Sequence, residues 1–258
     1  PSQIRNKYLK YCFSHSIRCY MSPKISDIIL LGTDRIHLFD TPLLMCRNQG
    51  LSMEQRAAKR VLDIIVSGLG IIVSSPIMLI IAIAVKAYDG GPVFYLQDRL
   101  TYQGKEFRIR KFRSMCVDSE KNGARLASKH DSRITPVGHV LRNLHLDELP
   151  QLFNVFMGDM SLVGPRPERD VIMQEYEQEI PEFHYRLKVK AGLTGYAQVY
   201  GKYNTTPYDK LKLDLFYIEN YSFLLDIKLL FMTVKIFFQK EVSEGVDDRQ
   251  INALKTSG

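Results

Sequence analysis

The chain has 258 residues, of which 45% are hydrophobic, and a formal net charge of +7. A chain of this length and apolar content can bury a core, which argues against a disordered protein and allows one domain, or one domain with an appendage. The positive charge favours anionic partners, such as lipid headgroups, nucleotides, polyprenyl phosphates or nucleic acid, without choosing among them.

The cysteines and the first residues bear on the compartment. Cys12, Cys19, Cys46 and Cys116 have no metal-ligand spacing. We therefore expect reduced structural thiols in a reducing compartment and no disulfide framework. The chain begins at Pro1 without the order of a signal peptide, which predicts a processed piece that lacks a secretory leader.

Residues 1–50 are mixed in character, and proline and glycine interrupt them repeatedly. We predict that they form an accessory remnant. From Leu51 to Arg60 a polar helix leads into an apolar segment, and the spacing of Ser52 and Gln55 predicts a capping box at its start.

Residues 64–85 form an uncharged apolar segment, IIVSGLGIIVSSPIMLIIAIAV, long enough for a helix to cross a bilayer. It predicts a membrane-embedded helix, and the alternative is a buried helix of a soluble core. Ser75 and Pro76 lie near its middle, where proline removes a backbone donor and serine hydroxyls can satisfy the freed carbonyls. A sharp kink is expected there.

Charged residues flank the segment at both ends, with Lys59 and Arg60 before it and Lys86 after it. This symmetry gives no orientation by the positive-inside rule, and it favours a re-entrant helix over a spanning one without excluding the latter. Asp63 at the entrance is costly in hydrocarbon unless it pairs, and Lys59 and Arg60 are the expected partners. These three charges, with Ser75 and Pro76, are predicted to anchor the chain in the membrane.

The remaining sequence predicts helices and one small hairpin. Short strands at 93–96 and 107–112 flank a turn at Gln103-Gly104. The fold class is thus α+β, mostly helical and membrane-associated. Helices are predicted at 137–143, 149–157, 168–180 and, in the interface or on the core, at 223–238. The predicted divisions are 1–50, a lead-in and re-entrant helix at 51–88, a domain at 89–240, and a polar tail at 241–258.

Asp147 and Glu148 are adjacent carboxylates just before a proline-limited helix. Aspartate can attack phosphorus and form an acyl phosphate, which keeps the phosphoryl group available for a second transfer. Glu148 could take a proton, or could bind Mg²⁺ together with Asp147, which would offset the repulsion of the two carboxylates and neutralise a diphosphate. In the structural alternative, Asp147 caps the helix and Glu148 only favours its first turn.

Arg142 and Arg166 are candidate phosphate ligands, because guanidinium groups match phosphate oxygens and stay charged at any working pH. Arg166 lies between Pro165 and Pro167, whose fixed φ angles restrict the backbone. We expect a rigid arginine at this position. For Arg142, surface solvation is an equal alternative.

Lys111 and Arg113 belong to a basic run at 105–113 that is interleaved with aromatic residues. The run could bind headgroups, a nucleotide diphosphate or nucleic acid, or could be a solvated strand face. Nucleic acid is disfavoured because the chain is tied to a membrane and lacks a recognisable nucleic-acid-binding motif. The segment 192–201 has glycines around Thr194 and could cradle a nucleotide or sugar, or form a plain turn.

Read together, these residues resemble the bacterial sugar transferases known as monotopic polyprenyl-phosphate phosphoglycosyl transferases. The resemblance runs from about residue 58 to residue 238 and consists of ordered motifs. They are Lys59-Arg60 with Asp63, Ser75-Pro76, Gly91-Pro92-Val93-Phe94 with Gln97 and Arg99, Lys111-Phe112-Arg113-Ser114-Met115, Leu146-Asp147-Glu148-Leu149-Pro150-Gln151, the run from Gly158 to Pro167, Gly192-Leu193-Thr194-Gly195, and Asp214 with Tyr217.

The resemblance implies that a sugar 1-phosphate moves from a UDP-sugar to a polyprenyl phosphate such as undecaprenyl phosphate, with release of UMP, in the first membrane step of exopolysaccharide, capsule or O-antigen assembly. It implies that Asp147 is the nucleophile, Glu148 its acidic partner and Arg142 a phosphate ligand, and it adds Asp214 to the substrate-binding candidates. It also implies a cytoplasmic-face site on a bacterial inner membrane, and residues 1–50 then resemble the end of a preceding soluble domain of a large-type member. A homodimer is a further expectation.

Two other functions stay open at this stage. A membrane-anchored regulatory or scaffold protein would bind anionic lipid without consuming a UDP-sugar. A CDP-alcohol phosphotransferase would need several spanning helices and a spaced aspartate motif, neither of which the sequence contains.

Overall fold

The structure is a computed structural model and describes residues 2–46, 50–117, 131, 133–202 and 204–237. The N-terminal segment contains two helices, α1 (Ser2–Ser14) and α2 (Ile25–Leu31), and an antiparallel hairpin of β1 (Asp34–Leu38) and β2 (Thr41–Met45). Ile25 and Ile28 of α2 are buried in the main hydrophobic core. The predicted accessory segment therefore packs on the rest of the chain through α2. The predicted tail at 241–258 lies outside the described residues.

The longest element is a helix of 37 residues, α3 (Met53–Asp89). The predicted capping box begins it: the Ser52 hydroxyl accepts from the Gln55 N–H at 3.2 Å, and the Ser52 N–H donates to the Gln55 side chain at 2.9 Å. Gly90 ends it at a φ of +70°, a left-handed conformation that glycine adopts without steric penalty. The predicted lead-in and the apolar segment are thus one helix.

Pro76 lies inside α3 without ending it. Proline cannot donate to the carbonyl of Ile72, four residues earlier, and the Ser75 hydroxyl donates to that carbonyl at 2.8 Å instead. The Ser74 hydroxyl donates to the Gly70 carbonyl at 2.6 Å. The predicted compensation by serine is confirmed. A re-entrant break at Ser75-Pro76 is not confirmed, because α3 continues through it.

One face of α3 is apolar and uncovered. By length and composition α3 could cross a membrane, and only 17% of its most apolar 18-residue window is buried. This exposure does not fit the alternative of a soluble core helix, whose apolar residues would be covered. The opposite face packs on the protein on both sides of Pro76, through Lys59, Asp63 and Ser67 before it and Met78, Ile81 and Val85 after it.

The predicted hairpin follows α3 and is longer than expected. Strands β3 (Phe94–Leu100) and β4 (Glu106–Phe112) pair antiparallel, with Phe94 opposite Phe112. Gln103 and Gly104 form the turn, with φ angles of +58° and +75°. The hairpin therefore holds Lys111 at the end remote from its turn.

The remaining elements are mostly helical, as predicted. They are α4 (Pro136–Asn143), α5 (Gln151–Met157), β5 (Ser161–Val163), α6 (Asp170–Glu179), β6 (Gly192–Thr194), α7 (Tyr196–Tyr200), α8 (Pro207–Glu219) and α9 (Phe223–Phe237). The predicted helices correspond to α4, α5, α6 and α9, and α9 packs on the core through the fully buried Leu229. The parallel pair of β5 and β6 was not predicted, because three-residue strands carry no usable periodicity.

A second, smaller core lies under the C-terminal half of α3. It consists of Met78, Ile81 and Val85 of α3 with Phe112 of β4 and Leu141 of α4. Leu146 and Leu149 pack against it. The two residues between them, Asp147 and Glu148, are therefore held next to the apolar helix by packing on either side.

Candidate active site

The acidic pair lies in a tight turn between α4 and α5. His145 adopts a φ of +51°, which costs a residue other than glycine roughly 1–2 kcal/mol, and a 3₁₀ turn over Leu146–Glu148 follows. Helix α5 begins at Gln151 with Pro150 as its N-cap residue, and no side chain caps it. The capping alternative for Asp147 is therefore wrong, and its carboxylate is not used to begin a helix.

Glu148 is the centre of a charged cluster. Its Oε1 accepts hydrogen bonds from Lys111 Nζ and from the Arg166 guanidinium, both at 2.7 Å. Burial alone would raise the pKa of Glu148, but the charges and hydrogen bonds of Arg166 and Lys111 outweigh burial and hold that pKa well below its ordinary value. Glu148 is thus an ionised carboxylate between two cations.

Asp147 has a different environment. Burial and the neighbouring charge of Glu148 raise its pKa, and Lys111 and Arg142 act in the opposite direction. Within the described part of the chain, no side chain or backbone group donates a hydrogen bond to its carboxylate. When the pKa values of two adjacent carboxylates are shifted in opposite directions, the two groups often have different roles in an active site. One carboxylate can react while the other positions the neighbouring charged groups.

Arg166 projects from a turn whose backbone is extensively bonded. Every carbonyl from residue 165 to residue 168 accepts a hydrogen bond. The donors are Gly192 N–H for Pro165 at 2.8 Å, Arg186 for Arg166 at 3.0 Å, Arg99 for Pro167 at 3.1 Å and Leu100 N–H for Glu168 at 3.0 Å. A Cβ at Gly192 would overlap the Gly164 backbone, so glycine is required for this approach. These bonds, together with the prolines, fix the backbone of the turn and support the expected rigidity of Arg166.

The sequence of this chain matches a known protein family. The family model described as bacterial sugar transferase matches residues 54–240, which include α3 apart from its first residue, the acidic pair and the Arg166 turn. The chain belongs to the bacterial sugar transferase family.

Three relatives illustrate the range within the bacterial sugar transferases. A UDP-N-acetylgalactosamine-undecaprenyl-phosphate N-acetylgalactosaminephosphotransferase of Aeromonas hydrophila is 44% identical over 180 residues, covering 69% of this chain and 43% of the relative. A UDP-glucose:undecaprenyl-phosphate glucose-1-phosphate transferase of Klebsiella pneumoniae is 43% identical over 208 residues, 79% of this chain and 43% of the relative. An undecaprenyl-phosphate galactose phosphotransferase of Salmonella typhimurium is 36% identical over 237 residues, 85% of this chain and 49% of the relative. The chain spans about half the length of these curated relatives.

Asp214 is buried, and its ion-pair partner is Arg186, not a residue of the acidic pair. Its Oδ2 accepts from Nε of Arg186 at 3.0 Å and from the same guanidinium at 2.8 Å. Arg186, also buried, donates to the Arg166 carbonyl. Asp214 thus holds Arg186 against the Arg166 turn, and its predicted role in binding substrate stays a prediction. Sequence reasoning missed Arg186, a lone arginine in a 3₁₀ turn with no motif around it.

Three other residues predicted to bind substrate or phosphate have different positions in the fold. Arg142 lies in the last turn of α4, and its positive charge lowers the pKa of Asp147. Arg113, which directly follows β4, is buried and forms a two-pronged ion pair with Asp89, the last residue of α3. It therefore joins the end of β4 to the end of α3. The Thr194 hydroxyl shares a 2.7 Å hydrogen bond with Thr233 of α9. These two residues fix neighbouring elements of the site.

The charges at the start of α3 have partners other than those predicted. Lys59 is buried and donates to Asp226 of α9 at 2.6 Å and to Tyr217 at 2.9 Å. Asp63, also buried, accepts from the Ser161 hydroxyl at 3.0 Å. Arg60 donates to the carbonyls of Val155 and Phe156 at the end of α5. The expected pairing of Asp63 with Lys59 or Arg60 is replaced by contacts to β5 and α9, while their role as membrane anchors stays a prediction.

Proposed function

We propose that this protein transfers a sugar 1-phosphate from a UDP-sugar to undecaprenyl phosphate through a covalent intermediate on Asp147. The observation that carries the proposal is the Asp147 carboxylate, which accepts no hydrogen bond from the residues that the structure describes and lies beside the Glu148, Lys111 and Arg166 cluster. The three relatives support the substrate class, and their names print three different sugars. We therefore propose a UDP-hexose or UDP-N-acetylhexosamine as donor.

In the first step, an Asp147 oxygen attacks the phosphorus that carries the sugar. A bond forms between the carboxylate oxygen and phosphorus, the bond from that phosphorus to the bridging oxygen breaks, and UMP leaves with the bond's electron pair. A raised pKa makes a carboxylate more basic and hence a better nucleophile once it is ionised. Lys111 and Arg166 supply positive charge where the diphosphate would lie.

In the second step, an oxygen of undecaprenyl phosphate attacks the acyl phosphate. The bond between phosphorus and Asp147 breaks, the carboxylate is regenerated, and a lipid diphosphate that carries the sugar is formed. Because UMP has left, donor and acceptor occupy the phosphate site in turn, and one set of cations serves both steps. Glu148 keeps Lys111 and Arg166 in place between the steps.

The packing of α3 supports a site at the membrane surface with both ends of the helix on one side. The helix contacts the rest of the protein before Pro76 through Lys59 and Asp63 and after Pro76 through Ile81 and Val85. If α3 crossed the bilayer, its two ends would lie on opposite sides of the membrane, and one of these two sets of contacts would be lost. We propose that this side is the cytoplasmic face, where UDP-sugars are made.

Mg²⁺ is proposed as the cofactor. Among the described residues no group of three or more histidine, cysteine, aspartate or glutamate side chains could hold a metal ion. In the part of the chain that the structure describes, no group donates a hydrogen bond to the Asp147 carboxylate or to the second oxygen of Glu148. This fits an ion held by one or two carboxylates and completed by substrate phosphates. When bound there, it would supply charge neutralisation of the diphosphate.

The decisive experiment is UMP release by purified protein with a panel of UDP-sugars, in Asp147→Asn and in a matched variant, Asp98→Asn. Asp98 is exposed on β3 and pairs only loosely with Arg108, at 3.5 Å. We expect loss of activity by at least about a thousandfold in Asp147→Asn and wild-type rates in Asp98→Asn.

Mass spectrometry of protein treated with donor but no acceptor should find a sugar phosphate on Asp147. Full turnover by Asp147→Asn, with deamidation excluded, would refute the assignment of the nucleophile. Lipid binding without any UDP-sugar consumption would favour the scaffold alternative.

A further inference from the structure

A cavity of about 350 Å³ opens at the start of α3, away from the acidic pair. Five of the eleven residues that line it are basic, and one, Asp63, is acidic. The basic residues are Arg56, Lys59, Arg60, Lys188 and Lys190. None of them takes part in the proposed reaction.

The positive charge of this basic cavity is only partly cancelled. Lys59 is neutralised by Asp226. Arg60 donates only to carbonyls, and Lys190 donates to the Gly158 carbonyl at 2.7 Å. Within the described ranges, no carboxylate lies within 4.0 Å of a nitrogen of Arg60 or Lys190. Backbone carbonyls accept hydrogen bonds from these cations and so orient them, but a carbonyl carries no net charge and cannot neutralise a cation.

The two remaining cations lie near aromatic rings, and the charge of Lys188 also acts on the nearby Glu219 carboxylate. Nζ of Lys188 lies 5.3 Å from the centre of the Tyr185 ring. The Arg56 guanidinium lies 5.6 Å from the centre of the Tyr102 ring and donates to the Leu51 carbonyl. Burial and the charge of Arg60 lower the pKa of Lys190, and the charges of Asp63 and Asp159 act in the opposite direction. Five cations and one carboxylate line a space large enough for a small ligand, and this excess of positive charge favours an anion.

The basic cavity is separate from the acidic pair. Tyr102, which lines it, lies at the turn of the hairpin, and Lys111 lies at the other end of β4. The strand from Glu106 to Lys111 alone spans roughly 17 Å. A phosphate held in the cavity therefore could not be attacked by Asp147, so the cavity is neither the donor site nor the acceptor site of the proposed reaction.

We infer that the basic cavity binds a phosphate-bearing ligand, either the headgroup of an anionic phospholipid or a soluble phosphate ester. Its lining residues Lys59, Arg60 and Asp63 directly precede the uncharged segment of α3. If that segment is in hydrocarbon, the cavity lies at headgroup depth, where basic residues bind anionic lipid. Both sources of ligand present the same phosphate chemistry.

The test uses the full chain in detergent with two probes, phosphatidylglycerol and glycerol 1-phosphate, and phosphatidylcholine as the neutral reference. Binding is measured by native mass spectrometry for the lipids and by titration calorimetry for the soluble ester. Lys188→Gln/Lys190→Gln removes two cavity charges. Lys7→Gln/Lys10→Gln removes two charges from exposed positions on α1 and leaves the same net charge.

We expect phosphatidylglycerol, and not phosphatidylcholine, to bind wild type and the α1 variant equally and the cavity variant about 30-fold more weakly. Lys188→Arg/Lys190→Arg should retain binding because it retains both charges. The same pattern with glycerol 1-phosphate would identify a soluble ester as sufficient. Equal binding by the two glutamine variants, loss of binding in the arginine variant, or no binding of either probe to wild type would overturn the inference.

Discussion

Asp147 and Glu148 are adjacent in sequence but differ in their electrostatic surroundings. Glu148 accepts from two cations at 2.7 Å, whereas Asp147 feels the charge of Lys111 without a hydrogen bond from it. The difference arises because neighbouring side chains in a 3₁₀ turn point in different directions. One carboxylate is therefore held as a fixed anion, and the other is left available to react.

At this scale, Lys111→Gln should move the acid limb of the pH profile of kcat/KM to higher pH. The Lys111 charge lowers the pKa of Asp147, so its loss raises that pKa, and the ionised nucleophile is then lost at a higher pH as the solution is acidified. Lys105→Gln, an exposed lysine at the hairpin turn, is the control. An unchanged acid limb in Lys111→Gln would argue against Asp147 as the titrating group.

At the scale of elements, a buried ion pair joins α8 to the Arg166 turn. Asp214 and Arg186 are 1% and 2% exposed, so neither charge can be solvated if the other is removed. Arg186 also lies 3.5 Å from Glu168, which in turn accepts from Lys210 at 2.5 Å. The turn that presents Arg166 is thus fixed by charges on three elements.

Arg186→Met should destabilise the protein by about 3–5 kcal/mol, because it leaves Asp214 buried without a counter-charge. The double variant Arg186→Met/Asp214→Leu should recover much of that loss, yet activity should stay low because the Arg166 carbonyl has lost its donor. Chemical unfolding and UMP release measure the two effects. Stability that does not recover in the double variant would contradict the charge argument.

The hydrogen bond from the Ser75 hydroxyl to the Ile72 carbonyl should stabilise helix α3. Ser75→Ala should lower stability by about 1 kcal/mol, because the Ile72 carbonyl loses its donor next to Pro76. Ser75→Ala/Pro76→Ala restores a backbone N–H at position 76 and should regain that loss. Thermal unfolding in detergent measures both. A double variant less stable than Ser75→Ala would show that proline itself is needed for the helix geometry.

At the scale of the whole molecule, α3 carries an uncovered apolar face and a packed face along the same length. Leu69, Ile72, Leu79 and Ile80 are each at least 59% exposed, while Ile81 and Val85 are buried. A helix that packs on one body on both sides of its midpoint resembles an embedded surface element more than an isolated crossing.

This arrangement predicts that both ends of α3 are accessible from the same side. Single cysteines placed at Glu54 and Tyr88, with the four native cysteines changed to serine, should both resist an impermeant maleimide in intact spheroplasts. Both should react after lysis. Labelling of one position in intact spheroplasts would indicate a spanning helix instead.

Local sequence determined where several elements of this protein begin, turn and end. The capping box at Ser52, the glycine stop at Gly90, the hairpin turn at Gln103-Gly104 and the acidic pair depend on residues within a few positions of each other. Such signals are complete in a short window, so the extent of α3, the hairpin and the acidic pair could be predicted, and the ordered motifs were enough to indicate the family.

Only the tertiary structure decided which buried charges meet. Lys59 finds Asp226 at a sequence separation of 167 residues, and Asp63 finds Ser161 at a separation of 98. No periodicity or propensity encodes such a choice, because the partner is set by how α3, β5 and α9 pack together. The same packing buries Asp214 against Arg186, which donates to the Arg166 carbonyl, and it forms the basic cavity from segments that are far apart in the chain.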